Sequence, residues 1–138
     1  LIRAWGRIAK QYPDWKLIIA GTGPTKSKKY LVDLVNNEHV ENSVSFPGFC
    51  NNIIDYYKKA SIFCLPSRVE GFGLALIEAQ SFGTPVVAFD CEIGPRELIE
   101  HHRNGILCQE NDVISLANGL IRKYNIYRFC LSSGYLAY

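Results

Sequence analysis

The chain has no pair of cysteines close enough for a C-x-x-C site, no block of like charge and no apolar run long enough to cross a bilayer. Each absence removes a class of protein. Cys50, Cys64, Cys91, Cys108 and Cys130 are scattered, which argues against a zinc ribbon or a thioredoxin-like dithiol. Their odd number suits a reducing compartment, and a cytoplasmic location is expected. Acids and bases are mixed along the chain to a net charge of +2, so neither a nucleic-acid face nor an acidic disordered tail is indicated. No signal peptide opens the sequence, because Leu1-Ile2-Arg3-Ala4-Trp5 has the spacing of a helix interior. The aspartates Asp55, Asp90 and Asp112 are dispersed, and no metal cluster is legible.

The 138 residues, 48% apolar and 20% charged, suit one soluble domain with one core. Short apolar runs alternate with stretches of helical period. Leu17-Ile18-Ile19-Ala20, Val44-Ser45-Phe46, Ile62-Phe63-Cys64-Leu65, Pro85 to Phe89 and Gly105-Ile106-Leu107 read as strands. Leu1 to Gln11, Lys28 to Asn36, Asn51 to Ala60, Gly73 to Phe82, Pro95 to Glu100 and Asp112 to Ile121 read as helices. In the third, Ile53, Ile54 and Tyr57 are expected to face inward. Asp112 is placed to cap the last. This alternation predicts an α/β fold, a doubly wound parallel sheet with helical crossovers. Ligands in such sheets bind beyond the carboxyl ends of the strands. Gly21-Thr22-Gly23 and the loops Pro66 to Gly73 and Asp90 to Gly94 fall there.

The segment Glu70-Gly71-Phe72-Gly73-Leu74-Ala75-Leu76-Ile77-Glu78 carries the most chemistry. Its glycines let the backbone approach a ligand closely. The helix start offers free N–H groups to an anion such as a diphosphate. Glu70 and Glu78 flank that point and can accept hydrogen bonds from hydroxyl groups. A ribose, a diphosphate and a hexose present that order of groups. On spacing alone, the string also fits a glycine-capped helix with two solvated glutamates.

The whole string resembles the E-x7-E motif of the family-4 retaining glycosyltransferases of GT-B fold. Gly21-Thr22-Gly23-Pro24, Val44-Ser45-Phe46-Pro47-Gly48-Phe49, Leu65-Pro66-Ser67, Gly83-Thr84-Pro85-Val86-Val87-Ala88, Gly94-Pro95-Arg96-Glu97 and Asn104-Gly105 match further elements in order. The resemblance covers roughly Leu1 to Ile121. It implies the C-terminal, nucleotide-sugar-binding half of a GT-B enzyme, a Rossmann-like domain over residues 1–124 with a divergent tail at 125–138.

By the same resemblance, Glu70 is the catalytic candidate that holds the donor hexose, and Glu78 binds the ribose. Gly71 and the backbone around Phe72, Gly73 and Leu74 contact the diphosphate and sugar. Phe49 lies near the nucleobase, and Gly21 and Gly23 line the donor cleft. Arg68, one residue from the motif loop, is a candidate phosphate contact that the family pattern does not fix. The donor is expected to be a UDP-sugar, since Asp90 to Pro95 resembles a loop of members that use one. Neither a cofactor nor a metal is implied. The pathway suggested is assembly of cell-surface polysaccharide or lipid-linked saccharide.

The family's G-R-x5-K-G string, with its diphosphate-gripping Arg and Lys, would precede the first helix and is absent. So is the acceptor-binding N-terminal domain, which alone would bring membrane contact. The first strand of the sheet is expected to be missing as well, leaving an open edge or apolar face. The expectation is therefore weak donor binding, with transfer only when a missing domain or partner chain is supplied. A non-catalytic donor-binding module or remnant is the alternative. A dinucleotide-dependent dehydrogenase is disfavoured, because Lys26 stands where G-x-G-x-x-G needs its third glycine. A sugar-nucleotide epimerase or phosphorylase is disfavoured by the full glutamate string. His101-His102 reads as surface, Trp5 and Trp15 as packing residues, and Lys26, Lys28 and Lys29 as a solvated helix face.

Overall fold

The structure, a computed structural model, describes residues 1–127 and 135–137, with side-chain surroundings as far as Lys123. Six strands form one parallel sheet in the order β2-β1-β6-β3-β4-β5. They are β1 (Lys16–Ala20), β2 (Val44–Gly48), β3 (Ile62–Leu65), β4 (Val86–Phe89), β5 (Gly105–Cys108) and β6 (Tyr135–Ala137). The helices are α1 (Ile2–Ile8), α2 (Thr25–Asn37), α3 (Ile53–Lys59), α4 (Leu74–Ser81), α5 (Pro95–Leu98) and α6 (Val113–Tyr127).

The central strands explain why both faces need cover. Every residue of β3 and β4 is buried. Side chains alternate between faces along a strand. Ile62, Cys64, Val87 and Phe89 join a cluster with Trp5, Ile8, Leu116 and Leu120 of α1 and α6. Phe63, Leu65, Val86 and Ala88 join the other, with Tyr57, Leu76 and Ala79 of α3 and α4. Uniformly apolar strands therefore need helices on both sides, and the doubly wound reading is what the chain adopts. Gly105 and Gly119 permit close contacts against the sheet. A Cβ on Gly119 would meet Cys108 Sγ at 2.5 Å and Val87 Cγ1 at 3.2 Å, so α6 lies directly on the sheet.

Local signals set several boundaries. Asp112 Oδ1 accepts from the N–H groups of Ile114 and Ser115 at 2.7 and 3.0 Å and caps α6 as expected. Helix α2 begins at Thr25, directly after Pro24, three residues ahead of the expected start at Lys28. Ile53 and Ile54, expected to point inward, are 36% and 42% exposed, and only Tyr57 of α3 is buried. So short a helix, seven residues, brings only one side chain into the core.

Two expectations about the ends change. Helix α6 runs to Tyr127, six residues beyond the predicted stop at Ile121 and across the 124/125 boundary. The edge or apolar face expected from a missing first strand is not seen in the middle of the sheet among the described residues, and the outer strands are β2 and β5. The interior place between β1 and β3 is taken by β6, which pairs Leu136 with Leu17 on one side and with Ile62 on the other. Three residues are too few to show a period, so only the sheet identifies this strand.

The strand order has a functional consequence. From the middle of the sheet, β1 leads outward through α2 to β2, whereas β3 leads the opposite way through α4 to β4. The crossovers diverge there. The loops after β1 and β3 border a crevice at the carboxyl ends, the place where open α/β sheets bind ligands.

Candidate functional site

The loop from Pro66 to Gly73 leaves β3 and turns into α4. Gly73, the residue before the helix, has φ +78° and ψ +37°, a left-handed conformation that a residue with a Cβ adopts only at a cost. Its carbonyl accepts from Leu76 N–H at 2.9 Å and closes the first turn. The first N–H groups of α4 have no carbonyl one turn before them, which leaves them free for an anion.

The loop after β4 fixes this loop from behind at two points. Cys91 Sγ donates to the Ser67 carbonyl at 2.8 Å. Gly94, with φ +83°, lies against the Phe72–Gly73 peptide, where an added Cβ would stand 3.0 Å from the Phe72 carbonyl. Glu97 Oε2 accepts from Gly94 N–H at 3.2 Å, and Arg96 Nε donates to Asp90 Oδ1 at 2.9 Å. The backbone that would meet an anion is thus held in advance of any ligand.

Glu70 is half-buried and lines a cavity of about 340 Å³ with Ala20, Tyr56, Tyr57, Ser67 and Ala75. Glu78, on α4, accepts a hydrogen bond at its Oε2 from the Tyr57 hydroxyl at 2.9 Å. Burial first, and this hydrogen bond second, raise the Tyr57 phenol above its ordinary range, so it remains a donor. Tyr57 is held in turn by Thr84, whose Oγ1 donates to the Tyr57 carbonyl at 2.7 Å.

The other predicted residues lie in adjoining depressions. Gly21 and Gly23 line one of about 400 Å³ with Ala20, Lys28 and Phe46. Gly21 N–H donates to the Gly48 carbonyl at 2.8 Å, which joins the ends of β1 and β2. Phe49, 73% exposed, lines a third of about 420 Å³ with Asn51, Asp55 and Tyr56. Ala20 borders both the Glu70 cavity and the Gly21 depression, and Tyr56 borders both the Glu70 cavity and the Phe49 depression. Gly71, Phe72 and Leu74 carry the chain from Glu70 into α4, with Phe72 and Leu74 exposed. Arg68 lines a cavity that Glu70 does not, with Pro66, Phe89 and Asn111, and this cavity shares Ile19 and Leu31 with the Gly21 depression.

Tyr57, Cys91 and Gly94 are site residues whose roles the sequence did not declare. Tyr57 could have been flagged, because a tyrosine on the inward face of a helix needs a partner for its hydroxyl. Cys91 and Gly94 gave no such signal, since their partners come from another loop. His101 is exposed, as expected, but its Nδ1 accepts from Leu107 N–H at 3.0 Å and steadies β5. No group of three or more His, Cys, Asp or Glu among the described residues could hold a metal ion. Among the same residues, no helix is long and apolar enough to cross a membrane.

The sheet, its switch point and the glutamate-flanked helix start define a GT-B-type, Rossmann-like glycosyltransferase domain. Residues 1–127 match the family described as glycosyl transferases group 1, and the chain belongs to that family. An uncharacterized glycosyltransferase of Haemophilus influenzae is 42% identical over 120 residues, covering 87% of this chain and 33% of that protein. The amylovoran biosynthesis glycosyltransferase AmsD of Erwinia amylovora is 32% identical over 115 residues, covering 83% of this chain and 32% of that protein. Among solved structures, Anabaena HepE in complex with UDP-glucose superposes with a TM-score of 0.80 at 31% identity, covering 91% of this chain and 34% of HepE. The chain thus spans about a third of the length of these relatives.

Proposed function

We propose that the chain binds a nucleotide-activated hexose, a UDP-sugar, as the donor domain of a retaining glycosyltransferase. The observation that carries this reading is the groove itself. Half-buried Glu70 precedes the start of α4 and lines a cavity with Tyr57, and the Tyr57 hydroxyl holds Glu78 on the same helix. The helix start and the glycine backbone suit the diphosphate. Glu70 accepts hydrogen bonds from hexose hydroxyls and orients the sugar, and Glu78 does the same for the ribose. The amides near Phe72, Gly73 and Leu74 meet the diphosphate. Phe49 offers an exposed ring to the base, while Gly21 and Gly23 keep the floor of the groove clear. Arg68, one depression removed, serves an anionic group only where the ligand extends towards Asn111. The solved HepE complex contains UDP-glucose, which supports a UDP-linked donor.

The complete reaction is transfer of the hexose to a saccharide or lipid-linked acceptor hydroxyl with retention at the anomeric carbon. The acceptor-binding part is supplied by a further domain or a partner chain. Every side chain given a ligand contact in this reading lies within residues 1–124. Exposed Val69, Phe72 and Leu74 beside the groove suit a surface that such a domain covers. A cytoplasmic location and a role in cell-surface polysaccharide assembly fit this donor.

Calorimetric titration with UDP and UDP-glucose tests the reading. Weak, saturable binding is expected, and it weakens by about tenfold in Glu78→Gln. If a folded protein carrying this chain shows no saturable UDP binding at millimolar nucleotide, the reading fails.

A further inference from the structure

We infer that Tyr57 is a positioning residue for Glu78, orienting its carboxylate so that one edge is reserved for the ribose hydroxyls of the donor. The inference rests on the reading above and goes beyond it, by assigning to α3 the geometry of a carboxylate carried by α4. The first observation is the 2.9 Å hydrogen bond from the Tyr57 hydroxyl to Glu78 Oε2. Glu78 is otherwise an exposed side chain on an eight-residue helix, with rotamers to lose on binding. A single anchored oxygen removes much of that freedom beforehand, while Oε1 and the remaining lone pairs stay available.

The second observation is that the anchor is itself fixed on three sides. The Tyr57 ring meets Phe63 edge-on at 5.5 Å and stacks on Phe82 at 6.2 Å, with the planes 13° apart. Its carbonyl accepts from Thr84 Oγ1 at 2.7 Å. These partners come from β3, from the end of α4 and from the turn into β4. A tyrosine serving only as core filler would need the ring contacts and any partner for its hydroxyl. Here the hydroxyl is spent on a motif carboxylate, and the same residue lines the Glu70 cavity. Its phenol is shifted upward, so it donates throughout the pH range in which proteins are assayed.

The test measures binding of UDP and of 2′,3′-dideoxy-UDP to the wild type, Tyr57→Phe, Glu78→Gln and the double variant. The wild type is expected to prefer UDP, and Glu78→Gln to lose that preference. Tyr57→Phe keeps every ring contact and loses one hydrogen bond, so it is expected to fold. It should weaken UDP by about five- to tenfold and leave the dideoxy nucleotide within about twofold. The double variant should match Glu78→Gln alone, because the hydroxyl acts through that carboxylate.

Equal weakening of both nucleotides by Tyr57→Phe would overturn the inference, as would an unchanged preference. An unfolded Tyr57→Phe protein would overturn it too, because loss of the hydroxyl alone would then reveal a structural role. These failures leave the donor reading intact. A wild type that binds UDP and dideoxy-UDP equally would instead remove the ribose role of Glu78, and the inference with it.

Discussion

Gly94 packs against Phe72 so closely that a single added carbon would stand 3.0 Å from both the carbonyl carbon and the carbonyl oxygen of Phe72. The contact links the loop after β4 to the loop that opens α4. Neither loop has a helix or strand of its own to hold it, and each limits the other. Cys91 provides the second link through the Ser67 carbonyl.

Gly94→Ala is therefore expected to harm both stability and ligand binding. The residue sits at φ +83°, and its new methyl group meets backbone atoms that cannot rotate away. The combined cost should be about 1–3 kcal/mol, read from the urea midpoint of the folded protein. UDP affinity should fall as well, because the displaced peptide is one of those proposed to meet the diphosphate. A variant as stable as the wild type would show that the two loops are not in contact.

The two motif glutamates should separate in kinetics. In a transfer-competent protein carrying this chain, Glu78→Gln is expected to raise the donor KM by about tenfold or more with a smaller change in kcat. Glu70→Gln should depress kcat more than it raises KM, because a hexose held loosely reaches the reacting geometry less often. Steady-state rates with varied donor check this. The reverse pattern would exchange the assigned roles.

Gly119→Ala sets two effects against each other. Alanine in place of glycine within a helix gains about 1 kcal/mol of propensity. Against that, the methyl group would sit 2.5 Å from Cys108 Sγ, and overpacking of this kind costs about 1–3 kcal/mol. Net destabilisation is expected. Adding Cys108→Ala should recover part of it, although Ile106 and Val87 still stand at 3.2 Å. Thermal melts of the single and double variants decide the sign.

Buried thiols give the protein a pH dependence on the alkaline side. Burial, the largest cause in each, pushes Cys64 up to about 12 and Cys108 up to about 11. Below pH 9 both thiols are protonated, folded or unfolded, and their contribution is fully present. Above pH 9 the unfolded chain releases these protons first, so stability falls as pH rises towards 11 and 12. Lys123, lowered by burial, acts in the opposite direction until the unfolded amine titrates near 10.5. Melting temperatures between pH 8 and 11 should decline, and less steeply in Cys64→Ala. At pH 8, among the described cysteines, Cys50 should react first with a maleimide, since Cys64, Cys91 and Cys108 are buried. Equal rates at all four would contradict this packing.

The sequence by itself determined the α/β class and the parallel sheet, and it pointed to the carboxyl ends of the strands as the place for a ligand. These follow from properties that each segment carries alone: apolar runs too uniform for a half-exposed sheet, turns at Gly21 and Gly73, and two glutamates spaced around a helix start. Local signals also carried the cap at Asp112. Tertiary structure decided what depends on pairs of distant residues. It set Tyr57 against Glu78, Gly94 against Phe72, and Arg68 on a different cavity from Glu70 despite their closeness in the chain. It also placed Tyr135–Ala137 between β1 and β3, because so short a strand is specified by the hydrogen bonds its neighbours offer, not by its own period.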